Sequence, residues 1–189
     1  MTMMKEEMYQ YEDDFIPYVE QVPEELDWMI KFLLAKDVTS ILTLGISRGG
    51  VEYRIAEAYQ KANRRCRILG VDWAFMDDTK QTWAKVLDKF PLVTLDFLRH
   101  DLTKFCPYFM LGNYEFCFID ADHAYTSVKR DFGIAIKHTK RFVGFHDIRG
   151  TDVTKFWEEI KQQYPINMEM ATSGWMGIGI ASVSNEILI

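Results

Sequence analysis

The sequence predicts an α/β fold built on a parallel sheet with helices on both faces. From Val38 onward, apolar strand-like runs alternate with amphipathic helical patterns. The runs are almost continuously apolar, as strands buried on both faces must be. Successive runs also end in LG (44–45), VD (71–72), ID (119–120) and HD (146–147). Polar groups therefore gather at the carboxyl ends of strands, where open α/β sheets bind ligands.

Pro23, Glu24 and Glu25 give a first helix favourable N-terminal chemistry, and Leu26, Met29, Ile30 and Leu33 form its apolar face. ILTLG (41–45) precedes a helix carrying Val51, Ile55, Ala58 and Ala62. RILGVD (67–72) precedes one carrying Trp83, Val86, Leu87 and Phe90, closed by Pro91. LVTLDFL (92–98) reads as a third strand. FCFID (116–120) leads into a helix with Tyr125, Val128, Phe132 and Ile136. RFVGFHD (141–147) leads into one with Val153, Phe156, Trp157, Ile160 and Tyr164, before the strand-like INMEM (166–170) and MGIGIASV (176–183).

The 189 residues suit one domain, a tail and helix over 1–37 followed by a core over 38–183, without repeats or Gly/Ser linkers. The first fifteen or so residues are charged and Met-rich and read as loose. A hydrophobic content of 48% excludes wholesale disorder. The formal charge of −6 speaks against nonspecific nucleic-acid binding, and the basic runs Lys61–Arg67 and Lys137–Arg141 read as solvated helix ends. No stretch is long and apolar enough for a membrane span, and the polar, acidic N-terminus does not resemble a signal peptide. Cys66, Cys106 and Cys117 lack metal-type spacing, which fits a reducing cytoplasm.

Three stretches are candidates for chemistry. LGISRGG (44–50) joins a strand to a helix; its glycines admit close backbone approach, and the helix N–H groups can receive an acidic group. The spacing is not GxGxxG, which needs glycine where Ser47 stands, and a plain turn is the competing reading. Asp72 ends the second strand, where a carboxylate commonly takes a ribose hydroxyl pair, and Trp73 beside it is suited to stacking on a purine. A helix cap and core packing are their plainer roles. Asp120, Asp122, His123, His146 and Asp147 crowd two strand ends, a set suited to a hard divalent ion such as Mg²⁺ or Mn²⁺ and to proton transfer. Helix capping competes here too, with Asp122, His123 and Asp147 as the caps.

Together, ILTLGISRGGVEYRIA, ILGVDW, FCFIDADHAYTSVKRDF, FVGFHDI, VTKFWEEIKQQYP (153–165) and GWMGIGI (174–180) resemble the class I S-adenosylmethionine-dependent methyltransferases. The likeness is to the small Rossmann-like subgroup of cephalosporin-biosynthesis proteins and metal-dependent sugar O-methyltransferases, over roughly 38–183. It implies a Rossmann-like three-layer α/β/α sandwich with a seven-stranded, mostly parallel sheet whose last strand is antiparallel. It also implies that Gly45, Ser47 and Gly49 cradle the methionine part of S-adenosyl-L-methionine, Asp72 holds the ribose, and Asp101 in RHDLTKF meets the adenine amine. Asp120 falls in both the cofactor set and the metal set, the latter completed by His146 and Asp147. Asp122 resembles the general base, with His123 as the other proton acceptor.

Two departures stand out. Relatives usually carry an acidic residue where this chain has Thr43, removing a charge that orients the cofactor's amino group. Sugar-directed relatives often have two carboxylates at positions 146 and 147, and one imidazole shifts metal preference from Mg²⁺ toward Mn²⁺, Fe²⁺ or Zn²⁺. The expected reaction is methyl transfer to a hydroxyl of a small molecule, a sugar or natural product. The rival is an inert scaffold that binds a partner; an oxidoreductase reading suffers from the wrong glycine spacing. An RNA- or protein-directed methyltransferase is a further alternative. The helix Pro23–Ala35, read as exposed, is a candidate cover for the cofactor or a contact between two copies.

Overall fold

The computed structural model describes residue 12 and residues 14–104, 112–172 and 176–184. Cys106, Gly174, Trp175 and most of the N-terminal tail lie outside the described residues. The chain runs α1 (Pro23–Ala35), β1 (Ser40–Leu44), α2 (Gly50–Lys61), β2 (Cys66–Asp72), α3 (Asp77–Lys89) and β3 (Val93–Arg99). It continues β4 (Tyr114–Ile119), α4 (Tyr125–His138), β5 (Thr139–Arg149), α5 (Asp152–Gln163), β6 (Asn167–Met170) and β7 (Met176–Ser182).

The seven strands form one sheet in the order β3-β2-β1-β4-β5-β7-β6. Strands β3 to β5 pair in parallel, whereas β7 runs antiparallel to both neighbours. The predicted three-layer sheet with a reversed last strand is therefore observed. From β1 the chain first builds outward through β2 and β3, then crosses back to β4 on the other side. This reversal opens a crevice at the carboxyl ends of β1 and β4, the position at which doubly wound sheets bind ligands.

Two apolar clusters fill the faces. One joins α1, α2 and α3 to the sheet through Met29, Leu33, Ile41, Ile55, Ile68, Trp83 and Phe116. The other joins α4 and α5 through Leu42, Leu44, Phe132, Phe145, Phe156 and Trp157. Cys66 and Cys117 are buried free thiols within these layers, and burial pushes the Cys66 thiol up to about 12. Among the described residues, no helix is long and apolar enough to cross a membrane.

Several expectations need correction. Helix α1 is not an exposed cover: Leu26, Met29, Ile30, Phe32 and Leu33 bury its apolar face against the core. Leu87 and Ile136 are exposed, because the buried stripe of α3 follows Thr79, Thr82, Trp83 and Val86 and that of α4 follows Val128, Phe132 and Ala135. The basic run from Lys137 is a helix end only at its start, since Thr139, Lys140 and Arg141 already belong to β5, where Arg141 pairs with Glu115 at 3.2 Å.

Candidate active site

The turn after β1 is built from left-handed backbone. Gly45 has φ +88°, and a Cβ there would lie 2.3 Å from the Asp120 carbonyl oxygen. Gly49 has φ +82° and precedes α2. Ser47 adopts φ +50°, a left-handed conformation that glycine enters more readily than serine. This is why residue spacing alone understated the loop.

Asp72, at the end of β2, ties this loop down. Its Oδ2 accepts hydrogen bonds from the Ile46 and Ser47 N–H groups at 2.8 and 3.2 Å, and its Oδ1 from Ala74 N–H at 3.1 Å. Oδ2 is filled by its two backbone donors, whereas Oδ1 keeps a second lone pair with which to accept from a ligand hydroxyl. Trp73 follows with 71% of its surface exposed, which rules out the core-packing role for this ring. Asp101 stands beyond β3 on the surface. Its Oδ1 accepts from the Thr103 hydroxyl at 2.6 Å and N–H at 2.9 Å, and these bonds hold its pKa below the usual carboxylate value.

A cavity beside the loop is lined by Gly45, Ser47, Asp120 and, from a segment that sequence periodicity did not reveal, Tyr18, Glu20 and Gln21. This strap precedes α1. Glu20 Oε1 accepts from the Ser47 hydroxyl at 2.9 Å, and Gln21 Nε2 donates to Asp120 Oδ2 at 2.6 Å. The Arg48 guanidinium sits 5.1 Å from the Tyr18 ring centroid. The strap's backbone presses on the helix start, where a Cβ on Gly50 would lie 2.0 Å from Tyr18 O.

Across the crevice the ends of β4 and β5 bring the ionisable residues together. Asp120 Oδ1 lies 2.9 Å from His146 Nδ1 and 3.7 Å from His123 Nε2. His123 Nδ1 lies 3.1 Å from Asp147 Oδ2, and His146 Nδ1 is 3.4 Å from Asp147 Oδ1. Asp147 has φ +54°, and the β5–β7 register shifts between His146 and Arg149. Neighbouring strand residues normally face opposite ways; this bulge lets His146 and Asp147 serve one cluster.

Burial opposes charge on Asp120, yet the imidazoles of His123 and His146 facing it win and hold its pKa below the usual value. The facing Asp120 carboxylate raises the pKa of His123 against the effect of burial, with Asp147 adding to it. For His146 burial pulls the other way, but Asp120 and Asp147 together still raise it. Despite its short contact to Asp120, neither ring nitrogen of buried His146 has an aligned hydrogen-bond partner. Close donors without shared hydrogens suit a common cation.

The donor atoms that converge within 4.8 Å belong to Asp120, His123 and His146. The expected metal set named Asp147 instead of His123. Asp147 sits behind His123, at its Nδ1, in the place of a carboxylate that orients a ligating imidazole. Asp122, the expected base, is occupied elsewhere: Oδ2 accepts from the Ser127 hydroxyl at 2.6 Å and Oδ1 from Ala124 N–H at 3.3 Å. The Ser127 bond, then the Ala124 bond, lowers its pKa, so it is a weaker proton acceptor than an ordinary carboxylate. These bonds close the turn that leads into α4, whose N-cap is Ala124.

A family of sequences described as a methyltransferase domain matches residues 42–148, over half of the chain. No curated protein sequence matches it. Among solved structures, the O-methyltransferase TomG from Streptomyces achromogenes, involved in tomaymycin synthesis and bound to S-adenosylmethionine, is 15% identical with a TM-score of 0.65. The match covers 90% of this chain and 84% of that one. An O-methyltransferase from Bacillus cereus in complex with S-adenosylhomocysteine is 17% identical with a TM-score of 0.61, covering 88% and 84%. A protein described as a caffeoyl-CoA O-methyltransferase from Staphylococcus aureus gives 17% and 0.61, covering 88% and 86%. These likenesses concern the fold. With the family match spanning the glycine loop, Asp72, Asp120 and the β5 tip, the chain belongs to the methyltransferase-domain family, on the fold of the S-adenosylmethionine-dependent enzymes.

Proposed function

We propose that the chain transfers a methyl group from S-adenosylmethionine to an oxygen of a small hydroxylated acceptor, a sugar or natural product. The observation that carries this reading is the convergence of Asp120, His123 and His146 beside the glycine-loop cavity. The cofactor supplies a methyl group that is already electrophilic. The protein's share is to place the acceptor oxygen in line and ease loss of its proton.

The donor set fits a divalent cation, because a buried imidazole without an aligned partner faces a carboxylate and a second imidazole. Asp120, His123 and His146 would hold the ion, and a bound cation lowers the pKa of a nearby hydroxyl. Asp147 keeps His123 Nδ1 engaged and leaves Nε2 for the ion. Two imidazoles and one carboxylate suit Mn²⁺, Fe²⁺ or Zn²⁺ better than Mg²⁺. At equal concentration, Mn²⁺ or Zn²⁺ should therefore raise the thermal midpoint more than Mg²⁺, and Asp120→Ala should abolish the difference. An unchanged response in that variant would exclude this site.

A metal-free variant of the same chemistry has its own support: the half-exposed His123, paired with Asp147, forms an imidazole–carboxylate dyad that can accept a proton directly. Chelation separates the two, since turnover that survives it but is lost in His123→Ala belongs to the dyad.

The function itself is tested by calorimetry with S-adenosylmethionine and S-adenosylhomocysteine, then by turnover on a panel of hydroxylated acceptors. Asp120→Ala should lower turnover by on the order of 10³-fold. Absence of cofactor binding at millimolar concentration sinks the reading. Binding without turnover across the panel favours the inert, partner-binding scaffold.

A further inference from the structure

Glu52, in the first turn of α2, takes no part in the chemistry above, yet it is only 1% exposed. Neither carboxylate oxygen has a hydrogen-bond partner, and the Thr43 hydroxyl facing it lies outside normal hydrogen-bond geometry. The charged groups acting on it are Asp120 and Asp72, both of its own sign. A buried carboxylate in such surroundings is costly, because little replaces the water it gave up. Burial, reinforced by those two charges and only partly offset by Thr43, pushes its pKa up to about 7.

Its position explains what such a group can do. Gly50 and Val51, the residues immediately before it, line the loop cavity, and Thr43 stands two residues before Gly45. The two carboxylates whose charge reaches it, Asp120 and Asp72, stand at the ends of β4 and β2. Glu52 itself lies just behind that lining, and its two unpartnered oxygens call for a donor with a positive charge and N–H groups.

We infer that Glu52 is the anchor for the α-ammonium group of the bound cofactor, acting from α2 in place of a carboxylate at Thr43. This inference rests on the methyltransferase reading. An ammonium carries three donors for two unpartnered oxygens, whereas the cofactor's sulfonium has none to offer. Glu52 is thus a positioning residue for the cofactor.

The test compares two ligands by calorimetry on the full chain: S-adenosylhomocysteine, which has the ammonium, and 5′-methylthioadenosine, which lacks the whole amino-acid end. Glu52→Gln keeps size and removes charge. It should weaken S-adenosylhomocysteine about 10- to 100-fold, as for a lost hydrogen bond to a charged group, and change 5′-methylthioadenosine less than about twofold. Glu52→Asp, with charge kept but reach shortened, should show the same selectivity to a smaller degree, and it decides the matter if Glu52→Gln does not fold. Equal loss for both ligands, or loss for neither, overturns the inference. Failure of the unaltered protein to bind either ligand instead refutes the cofactor reading on which it stands.

Discussion

Gly45→Ala is expected to destabilise the protein by several kcal/mol, about 3 to 5, from two effects that add. The residue sits at φ +88°, a conformation that costs a non-glycine residue roughly 1–3 kcal/mol. The new Cβ would also meet the Asp120 carbonyl oxygen at 2.3 Å and the Ala121 Cα at 2.6 Å, and both are backbone atoms of the neighbouring strand end. Nothing flexible is available to move, so β1 and β4 must separate at the crevice. For a chain of this size the thermal midpoint should drop by about 6–20 °C. Gly133→Ala supplies the contrast: it lies inside α4 with nothing within 4 Å of the added carbon, and should gain roughly 0.5–1 kcal/mol. Urea unfolding of both variants checks the pair, and a Gly45→Ala protein of parental stability would show that the turn is not clamped as described.

Glu52→Gln is expected to stabilise the ligand-free protein at alkaline pH. The folded-state pKa of Glu52, about 7, lies above its ordinary value of 4.5, so folding favours the protonated carboxyl. Below pH 4.5 both states hold the proton and the glutamate carries no penalty. As pH rises from 4.5 to 7 the folded state is penalised by about 1.4 kcal/mol per unit, reaching a plateau near 3 kcal/mol above pH 7. Glutamine imitates the protonated form at every pH. The variant should therefore match its parent near pH 4.5 and exceed it by up to about 3 kcal/mol at pH 8, as read by denaturant titration at both. A constant difference across that range would mean that Glu52 does not change its charge there. Lower stability in exchange for a waiting charge is a frequent signature of binding sites.

Much of the fold was readable because its causes are local and periodic. Apolar runs such as FCFI and FVGF can only be strands buried on both faces, and their polar ends mark the crevice. That rule singled out Asp72, at the last position of β2, and Asp120, just past β4, together with His146 near the tip of β5. The pairing of His123 with Asp147 was not legible, because sequence does not say which imidazole nitrogen a carboxylate occupies. Glu52 was missed for a different reason: an acidic residue in the first turn of a helix is ordinary, and only burial distinguishes this one. The strap at Tyr18–Gln21 has no periodicity, since its contacts are single hydrogen bonds to residues far along the chain. Leu87 and Ile136 each lie one position beyond the buried stripe, a rotation of about 100° that a coarse apolar pattern does not resolve.

The bulge at the tip of β5 bears on portability. Asp120, His123, His146 and Asp147 look like four side chains that could be copied onto any sheet with two adjacent strand ends. Copied that way, residues 146 and 147 would point to opposite sides of the new sheet, and the orienting carboxylate would be parted from its imidazole. What must travel with them is the left-handed backbone of Asp147 and the register slip that follows it. The unit of inheritance here is a shape of main chain, and the side chains are legible only on it.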